Sequence, residues 1–488
     1  MLKSKRDIPK ESYYLALSHC WGPQSHREYN TVANNIHQRY RYLSMLTLPQ
    51  SFRDAIAITR KLGFKYLWID SLCIIQNQRE DREVEVALMG DIFANAFCTL
   101  AAASSPSSFD GCRIRSDSSK RTRFTDATFG DKRVRIFERC PEDWNCEYRT
   151  NPLQKRAWVL QERLLSRRTV IFSTNMLLWE CATAKASEQL PWLQMRVEDP
   201  PKILLLNDDN EMDAGNETFA QRGAWFKTIE SYTQMDIRKE QDRLPAIAGL
   251  VTKAKHHGIC VAGMWAQDMP SALLWHTESP SQCDEPNAAG ARRPTQKRAP
   301  SWSWAAVEGE ISYASQGLDG SAEPQPSPTS DYHAASFTFH NICTVLPIIP
   351  PSASAQLGAS ILISGLIQTG IVEKLRPSDA FSPGHKLVTT NGLDIGIVLP
   401  DVTKELGYGT AVCCLPVRRD PYWSGAYIDT HELHGTSERN LREKLNLIMG
   451  LVLQRIEGED STFRRCGLLR VARKDRFEGC PKRRITII

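Results

Sequence analysis

The sequence lacks the long apolar runs that place a protein in or across a membrane. No stretch of about 18 consecutive apolar residues occurs anywhere in the 488-residue chain, so we expect no span across a bilayer. The first residues, MLKSKRDIPKESYY, also lack the apolar core of roughly 7–15 residues that a secretion signal contains. These absences predict an intracellular, cytoplasmic protein.

The sequence also lacks a metal-ligand pattern and a phosphate-binding glycine loop. Its fourteen cysteines stand mostly in apolar surroundings, and Cys140, Cys146 and Cys283 have no partners at zinc-ligand spacing. Without a secretion signal, these cysteines are predicted to be reduced thiols, and no metal site is expected. The missing glycine-rich loop argues against a Rossmann-type dinucleotide site, and no bound cofactor is predicted.

The chain carries little excess charge of either sign. Its formal net charge is +5, with 24% charged and 41% hydrophobic residues, which is the balance of a globular protein. Two short basic clusters, RIRSDSSKRTR and CPKRRITII, are interpreted as solvated faces. We therefore predict no nucleic-acid partner.

The length of the chain exceeds what one hydrophobic core usually supports, so two or three domains are expected. Residues 1–190 alternate strand and helix patterns and are predicted to form an α/β domain. Residues 191–300 are predicted to form a mainly helical connector with a flexible segment at 277–299. Residues 301–488 repeat short apolar runs between turn residues, which predicts a β-rich C-terminal region.

The first domain is predicted to contain a mainly parallel sheet flanked by helices. Strands are predicted at YYLALSHC, YLWID and FCTLAAAS, with helices between them at LPQSFRDAIAITRKLG and around residues 81–96. Ser51 suits the N-terminal cap of the first helix, and Gly63 suits its end. Six apolar side chains are expected to be nearly fully buried: Ile56, Leu67, Ile69, Leu88, Ile92 and Leu100.

Polar side chains follow the predicted strands at the points where these strands end. The first strand runs into Ser18, the second into Asp70 and the third into Ser104. In open parallel sheets, binding sites gather beyond the carboxyl ends of the strands. The sequence therefore predicts a site along this edge.

Four stretches, in order, resemble the fungal heterokaryon incompatibility (HET) domain. They are YYLALSHCWG, LPQSFRDAIAITRKLGFKYLWIDSLCIIQ, MGDIFANAFCTLAAAS and PLQKRAWVLQERLLSRRTVIF with the LLWEC that follows. Downstream stretches such as DRLPAIAGL and APSWSWA resemble the region that commonly follows HET domains. Two positions depart from the family pattern: His19 stands where an aromatic residue is usual, and Arg82 where tryptophan is typical.

The resemblance implies a role in fungal non-self recognition, in which an incompatible partner triggers growth arrest or programmed cell death. It implies protein partners or self-association, and a distant, TIR-like relationship to domains that share the parallel sheet. Some TIR domains cleave NAD⁺ with a glutamate in a W-x-x-x-E motif, and WVLQE places Trp158 and Glu162 at that spacing. Two hypotheses follow: an NAD⁺ glycohydrolase with NAD⁺ as its substrate, or a non-catalytic interaction scaffold.

In the enzyme hypothesis, Glu162 is the catalytic residue, because a carboxylate stabilises the cation that grows on the ribose. Seven residues are predicted to bind the substrate: Ser18, Trp21, Asp70, Cys73, Gln76, Arg156 and Trp158.

Structural alternatives stay open for several of these residues. Asp70 also suits a turn cap or an ion pair with Arg156, and Cys73 suits core packing. Trp21 also suits the turn after the first strand, and Glu162 an ion pair along its helix. A hydrolase that uses His19 and Cys73 as base and nucleophile is a further, minor hypothesis.

Overall fold

The computed structural model describes twelve ranges of the chain: residues 1–23, 28–112, 124–137, 144–188, 214–254, 258–277, 290–313, 343–345, 359–374, 384–402, 405–419 and 447–488. Four features singled out in the sequence lie outside these ranges: the basic cluster at 113–123, Cys140, Cys283 and residues 278–289 of the predicted flexible segment.

The helices of the described ranges are α1 (Ile36–Arg41), α2 (Gln50–Lys61), α3 (Asp70–Cys73), α4 (Arg79–Asn95), α5 (Trp144–Arg149), α6 (Ala157–Leu165), α7 (Ala214–Thr233) and α8 (Ala248–Lys253). The strands of the first half are β1 (Tyr14–Ser18), β2 (Tyr66–Ile69), β3 (Cys98–Ala101), β4 (Phe124–Phe129), β5 (Lys132–Phe137), β6 (Arg168–Phe172), β7 (Leu177–Cys181) and β8 (Lys185–Ser187). Those of the second half are β9 (Cys260–Val261), β10 (Met264–Trp265), β11 (Trp275–Thr277), β12 (Ile311–Tyr313), β13 (Thr344–Val345), β14 (Ile361–Leu366), β15 (Gln368–Glu373), β16 (His385–Val388), β17 (Asp394–Pro400), β18 (Ala411–Arg419), β19 (Leu447–Arg455), β20 (Thr462–Arg473) and β21 (Lys482–Ile487).

The chain divides into two compact units, and each unit is built from two separate stretches of the sequence. One unit comprises residues 1–211 and 235–254, and the other comprises residues 212–234 and 255–488. This division into compact units does not test the domain boundaries predicted at residues 190 and 300, which stay a prediction.

The first unit is built around a six-stranded sheet in the order β2-β1-β3-β6-β7-β8. The strands β2, β1, β3 and β6 run parallel, whereas β7 and β8 add antiparallel neighbours at one edge. The prediction that the first three strands are neighbours in a mainly parallel sheet is therefore confirmed. The central strand β1 is apolar throughout its middle, and Leu15, Ala16 and Leu17 are fully buried, as a strand covered on both faces requires.

Helix α2 begins and ends for local reasons. It begins at Gln50 directly after Pro49, and no side chain caps it. The predicted cap by Ser51 is wrong, because Ser51 already lies inside the first turn, where its backbone N–H donates to the Ser108 carbonyl. The predicted end is confirmed: Gly63 follows the helix with φ +80°, a conformation that glycine adopts without steric cost.

Of the six side chains predicted to be nearly fully buried, two are confirmed and the other four are less buried than predicted. Ile69 and Leu100 are buried, and Ile56, Leu67 and Ile92 are half-buried, but Leu88 is 40% exposed. Helix α4 turns a different face inward, whose buried residues are Met89, Gly90, Phe93 and Ala94. The helix adopts this rotation because Gly90 lets α4 approach the backbone of α8 at Gly249.

The second unit is rich in β-structure, as predicted. Its main sheet has nine strands in the order β13-β14-β21-β20-β17-β16-β15-β18-β19. Because β19 also pairs with β20, the six strands from β20 to β19 close into a ring. The inner side chains of this ring form an apolar cluster that includes Val398, Cys414, Val452 and Leu469.

Within the described residues, no helix is long and apolar enough to cross a membrane. The TIR-like classification of the first sheet stays a prediction.

Candidate functional site at the carboxyl ends of the parallel strands

The end of β1 meets helix α6 through a buried pair of polar side chains. Ser18 is the last residue of β1, and its hydroxyl donates a hydrogen bond to Oε2 of Glu162. Glu162 is only 6% exposed, and Ser18 is buried as well. Ionising a carboxyl group in such a buried place costs free energy. A buried glutamate at this position is therefore a candidate for a chemical role.

Burial dominates the acidity of Glu162. The pKa of this carboxyl is raised to about 7, chiefly by burial, and the nearby charge of Asp70 acts in the same direction. The positive charge of Arg156 and the hydrogen bond from Ser18 act in the opposite direction. The group therefore holds a proton about half of the time near neutral pH, which is the range that acid–base or charge-stabilising chemistry requires.

Arg156 stands immediately before α6 and reaches back to β1. Its Nη1 donates to the carbonyl oxygen of His19, so the arginine ties the start of α6 to the exit of the strand. Its positive charge acts to lower the pKa of Glu162. The pKa of Cys20 is raised, chiefly by burial, and Arg156 opposes that rise. The structure thus places Arg156 beside Glu162 at the same strand end.

Asp70 ends β2 and is the first residue of the short helix α3. It accepts hydrogen bonds from Nε1 of Trp21 at 2.6 Å and from the backbone N–H of Ser71 at 2.6 Å. Among the two structural roles considered for Asp70, the turn cap matches these contacts, whereas the ion pair with Arg156 does not. The hydrogen bond from Trp21 to Asp70 connects the end of β1 to the end of the neighbouring strand β2.

The turn after β1 explains why glycine follows Trp21. Gly22 has φ +75°, and a Cβ atom there would lie 2.6 Å from Cβ of Ser107. A larger residue would push apart the loops that follow β1 and β3. Trp21 therefore has a role in the turn as well as a position at the site.

His19 and Cys73 lack the activation that a nucleophile and its base require. Burial lowers the pKa of His19 to about 4, and its Nδ1 lies 3.7 Å from Oδ1 of Asp70. Burial raises the pKa of Cys73 to about 12, so its thiol keeps its proton at neutral pH. These values disfavour the cysteine hydrolase hypothesis, because the thiolate is the reactive form.

Gln76 and Trp158 make packing contacts near the site. The side-chain amide of Gln76 donates to the carbonyls of Asp70 and Ile74, each at 3.1 Å, and closes the turn around α3. Trp158 is half-buried and packs against a cluster that includes Ala16 and Phe93. The structure thus brings Ser18, Glu162 and Arg156 together, and joins Asp70 to Trp21 and Gln76.

A small pocket opens beside the Ser18 hydroxyl. It holds ≈ 10 Å³, about the room that one water molecule needs. Most of its lining surface is apolar, and five of its lining residues carry polar groups that were not predicted to belong to the site: Thr99, Tyr148, Gln154, Arg163 and Thr169. Thr99 lies inside a strand whose sequence is mostly apolar, and Gln154 lies in a short 3-10 helix (Pro152–Lys155), so no pattern in the sequence indicated them.

The helix that carries Glu162 is fixed further along by a buried ion pair. Arg163 donates to both carboxylate oxygens of Glu180 on β7, at 2.8 and 2.7 Å. Arg163, the residue after Glu162 on this helix, thus forms its ion pair with Glu180. In the part of the chain that the structure describes, no three His, Cys, Asp or Glu side chains lie close enough together to hold a metal ion.

Comparisons with known proteins agree with the resemblance found in the sequence. Residues 14–162 match the family model described as Heterokaryon incompatibility protein (HET). A segment of 89 residues is 32% identical to "Heterokaryon incompatibility protein 6, OR allele" of Neurospora crassa, and it covers 17% of this chain and 13% of that protein. The chain thus matches only a small part of that relative's length. No solved structure matched the chain.

Proposed function

We propose a function from the premise that this chain is a HET-domain protein, with its HET domain at residues 14–162. The chain takes part in a fungal incompatibility response, in which recognition of non-self leads to regulated cell death. The name of the Neurospora crassa relative supports the incompatibility role. We further propose that the HET domain acts in this response as a TIR-like NAD⁺ glycohydrolase.

The observation that carries the enzymatic proposal is the buried contact between Glu162 and Ser18. Burial raises the pKa of Glu162 to about 7 although the Ser18 hydroxyl donates to it, so the carboxyl is only partly ionised at neutral pH. An acid with only a structural role usually has its oxygens bound by a base. Glu180 illustrates that structural case, because Arg163 binds both of its oxygens. Glu162 is thus a buried acid whose pKa lies near neutral pH, as catalytic acids and bases require.

In the proposed reaction, the bond between the ribose C1 atom and the nicotinamide nitrogen breaks. The bonding electrons leave with nicotinamide, which becomes neutral, and positive charge develops on the ribose. The ionised carboxylate of Glu162 stabilises that charge. Water then adds to C1 and releases one proton to solvent, which gives ADP-ribose. Trp21, held by Asp70, and Arg156 bind the substrate beside this carboxylate.

The test is release of nicotinamide from NAD⁺ by the purified 488-residue chain, as prepared and after forced oligomerisation. We expect turnover by the parent and a loss of about 100-fold or more in Glu162→Gln, since the group acts on the transition-state charge. Glu83→Gln is a matched control, because Glu83 is an exposed carboxylate paired with Arg79 on α4. It should retain the parent rate.

An inactive parent, in both states, would contradict the enzymatic proposal and favour the non-catalytic scaffold. The incompatibility role has a separate test, in which the chain is expressed in a fungal host and growth arrest is scored. If Glu162→Gln still arrests growth as the parent does, the response does not depend on chemistry at Glu162.

A further inference from the structure

Residues 235–254 form a segment that lies outside the family match yet packs on the helix that carries Glu162. The chain leaves the first compact unit after residue 211 and returns to it for these twenty residues only. The segment contains α8 and contacts both α4 and α6. Its contacts therefore belong to the same unit as the candidate site.

The segment fixes the first turn of α6 through its backbone. The N–H of Ala157 donates to the carbonyl of Asp236 at 3.0 Å, and the N–H of Asp236 donates to the carbonyl of Lys155 at 2.6 Å. The first N–H groups of a helix have no partners within that helix. Asp236 supplies one of these partners and fixes the direction in which α6 starts.

A second contact fixes the rotation of α6 about its axis. The buried side chain of Gln161 accepts a hydrogen bond from the backbone N–H of Gly249 at 2.7 Å. A Cβ atom at Gly249 would lie 2.5 Å from Oε1 of Gln161 and 2.8 Å from Cα of Gly90. The three helices thus meet with no room for a side chain at this point.

Gln161 directly precedes Glu162, so the rotation of one determines the direction of the other. Successive residues of an α-helix are turned by about 100° around its axis. While Gln161 is held by Gly249, Glu162 faces the Ser18 hydroxyl at the end of β1. A rotation or shift of α6 would separate these two groups and admit water to the carboxyl.

We infer that residues 235–254 are a positioning segment of the Glu162 site, in which Asp236 and Gly249 hold α6 so that Glu162 meets Ser18. The functional meaning of this inference rests on the proposed role of Glu162. It assigns a role to a part of the chain beyond residue 162, where the family match ends.

The experiment measures the ionisation of Glu162 in the 488-residue chain, with ¹³C at the glutamate carboxyl carbons. The signal that Glu162→Gln removes identifies the group. Two variants break the contact in different ways: Gly249→Ala by a steric clash, and Gln161→Met by removing the acceptor. The matched control is Gly223→Ala on α7, where an added Cβ meets no atom within 4 Å.

We expect the ionisation midpoint to lie at about 7 in the parent and to fall by about one unit in both variants. The direction follows from burial, which is the largest cause of the raised value. Separation of Glu162 from Ser18 and Arg156 acts in the opposite direction on its pKa, but each of these causes is smaller than burial. Arg156, Asp70 and Ser18 themselves are not substituted in any variant. Gly223→Ala should keep the parent midpoint.

A parent-like midpoint in a folded but destabilised Gln161→Met variant would overturn the inference, since the segment would then be structural only. If Gly249→Ala does not fold, Gln161→Met decides. The proposed function fails separately: a parent that releases no nicotinamide, with midpoints that shift as stated, contradicts the reaction and leaves the positioning role intact.

Discussion

At the scale of single residues, Glu162 makes the stability of the fold depend on pH. Its pKa is raised to about 7 in the folded chain from an ordinary value of 4.5, chiefly by burial. Between these values the folded state holds one proton more than the unfolded state. Linkage then requires stability to fall as pH rises through this window, by at most about 1.4 kcal/mol per pH unit.

We expect Glu162→Gln to remove this fall, because the amide does not ionise. Urea unfolding of the parent and the variant at pH 5, 6, 7 and 8 should show the variant gaining relative stability toward pH 8. Two curves that stay parallel over that range would mean that Glu162 is ionised and solvated in the folded chain.

His19 works in the opposite direction, at the same strand end. Burial lowers its pKa to about 4 from an ordinary 6.5, so the unfolded state holds the extra proton between these values. Its contribution to stability is present above pH 6.5 and is lost as pH falls toward 4. We expect His19→Phe to lose less stability than the parent between pH 6.5 and 4.5 in the same unfolding assay. If the parent and His19→Phe lose the same amount of stability, the imidazole of His19 is protonated in the folded chain, which contradicts the prediction.

The sequence indicates which residues belong to the candidate site, but it does not indicate which of them contact one another. Glu162 and Trp158 are indicated by the resemblance of WVLQE to the W-x-x-x-E motif, and Ser18 and Asp70 by their places at strand ends. The contact of Ser18 with Glu162 joins residues 144 positions apart, and it depends on how α6 lies against the end of β1. No local pattern encodes that placement.

At the scale of elements, α4 shows where a periodic pattern is insufficient. The apolar residues Val84, Leu88 and Ile92 recur every four positions and predict one face, yet Met89 and Phe93 are the buried side chains. The difference is one residue, or about 100° of rotation. It arises because Gly90 must face Gly249, a contact between segments that are remote in sequence.

This rotation predicts unequal costs for two substitutions on α4. Phe93 is buried and packs edge-on against Trp68 at 5.5 Å, so Phe93→Ala should cost about 3–5 kcal/mol of unfolding free energy. Leu88 is 40% exposed, and Leu88→Ala should cost less than about 1 kcal/mol. Urea unfolding at neutral pH measures both. Equal costs would mean that the helix uses the face predicted by its sequence.

At the scale of the whole molecule, the chain passes between its two compact units more than once. Residues 212–234 belong with the C-terminal unit, and residues 235–254 return to the N-terminal one. A sequence reading that assigns consecutive residues to consecutive domains cannot anticipate this order.

Native-state hydrogen exchange of the 488-residue chain should reveal directly which segments belong to the same unit. Amides open in cooperative groups that follow packing rather than sequence order. We expect the amides of α8 to share their opening free energy with α4 and α6, which they contact. The amides of α7 should follow the C-terminal unit, where Ile229 and Tyr232 are fully buried. If α7 and α8 instead opened together as one helical connector, the interleaved division would be wrong, and the positioning of Glu162 by residues 235–254 would lose its structural basis.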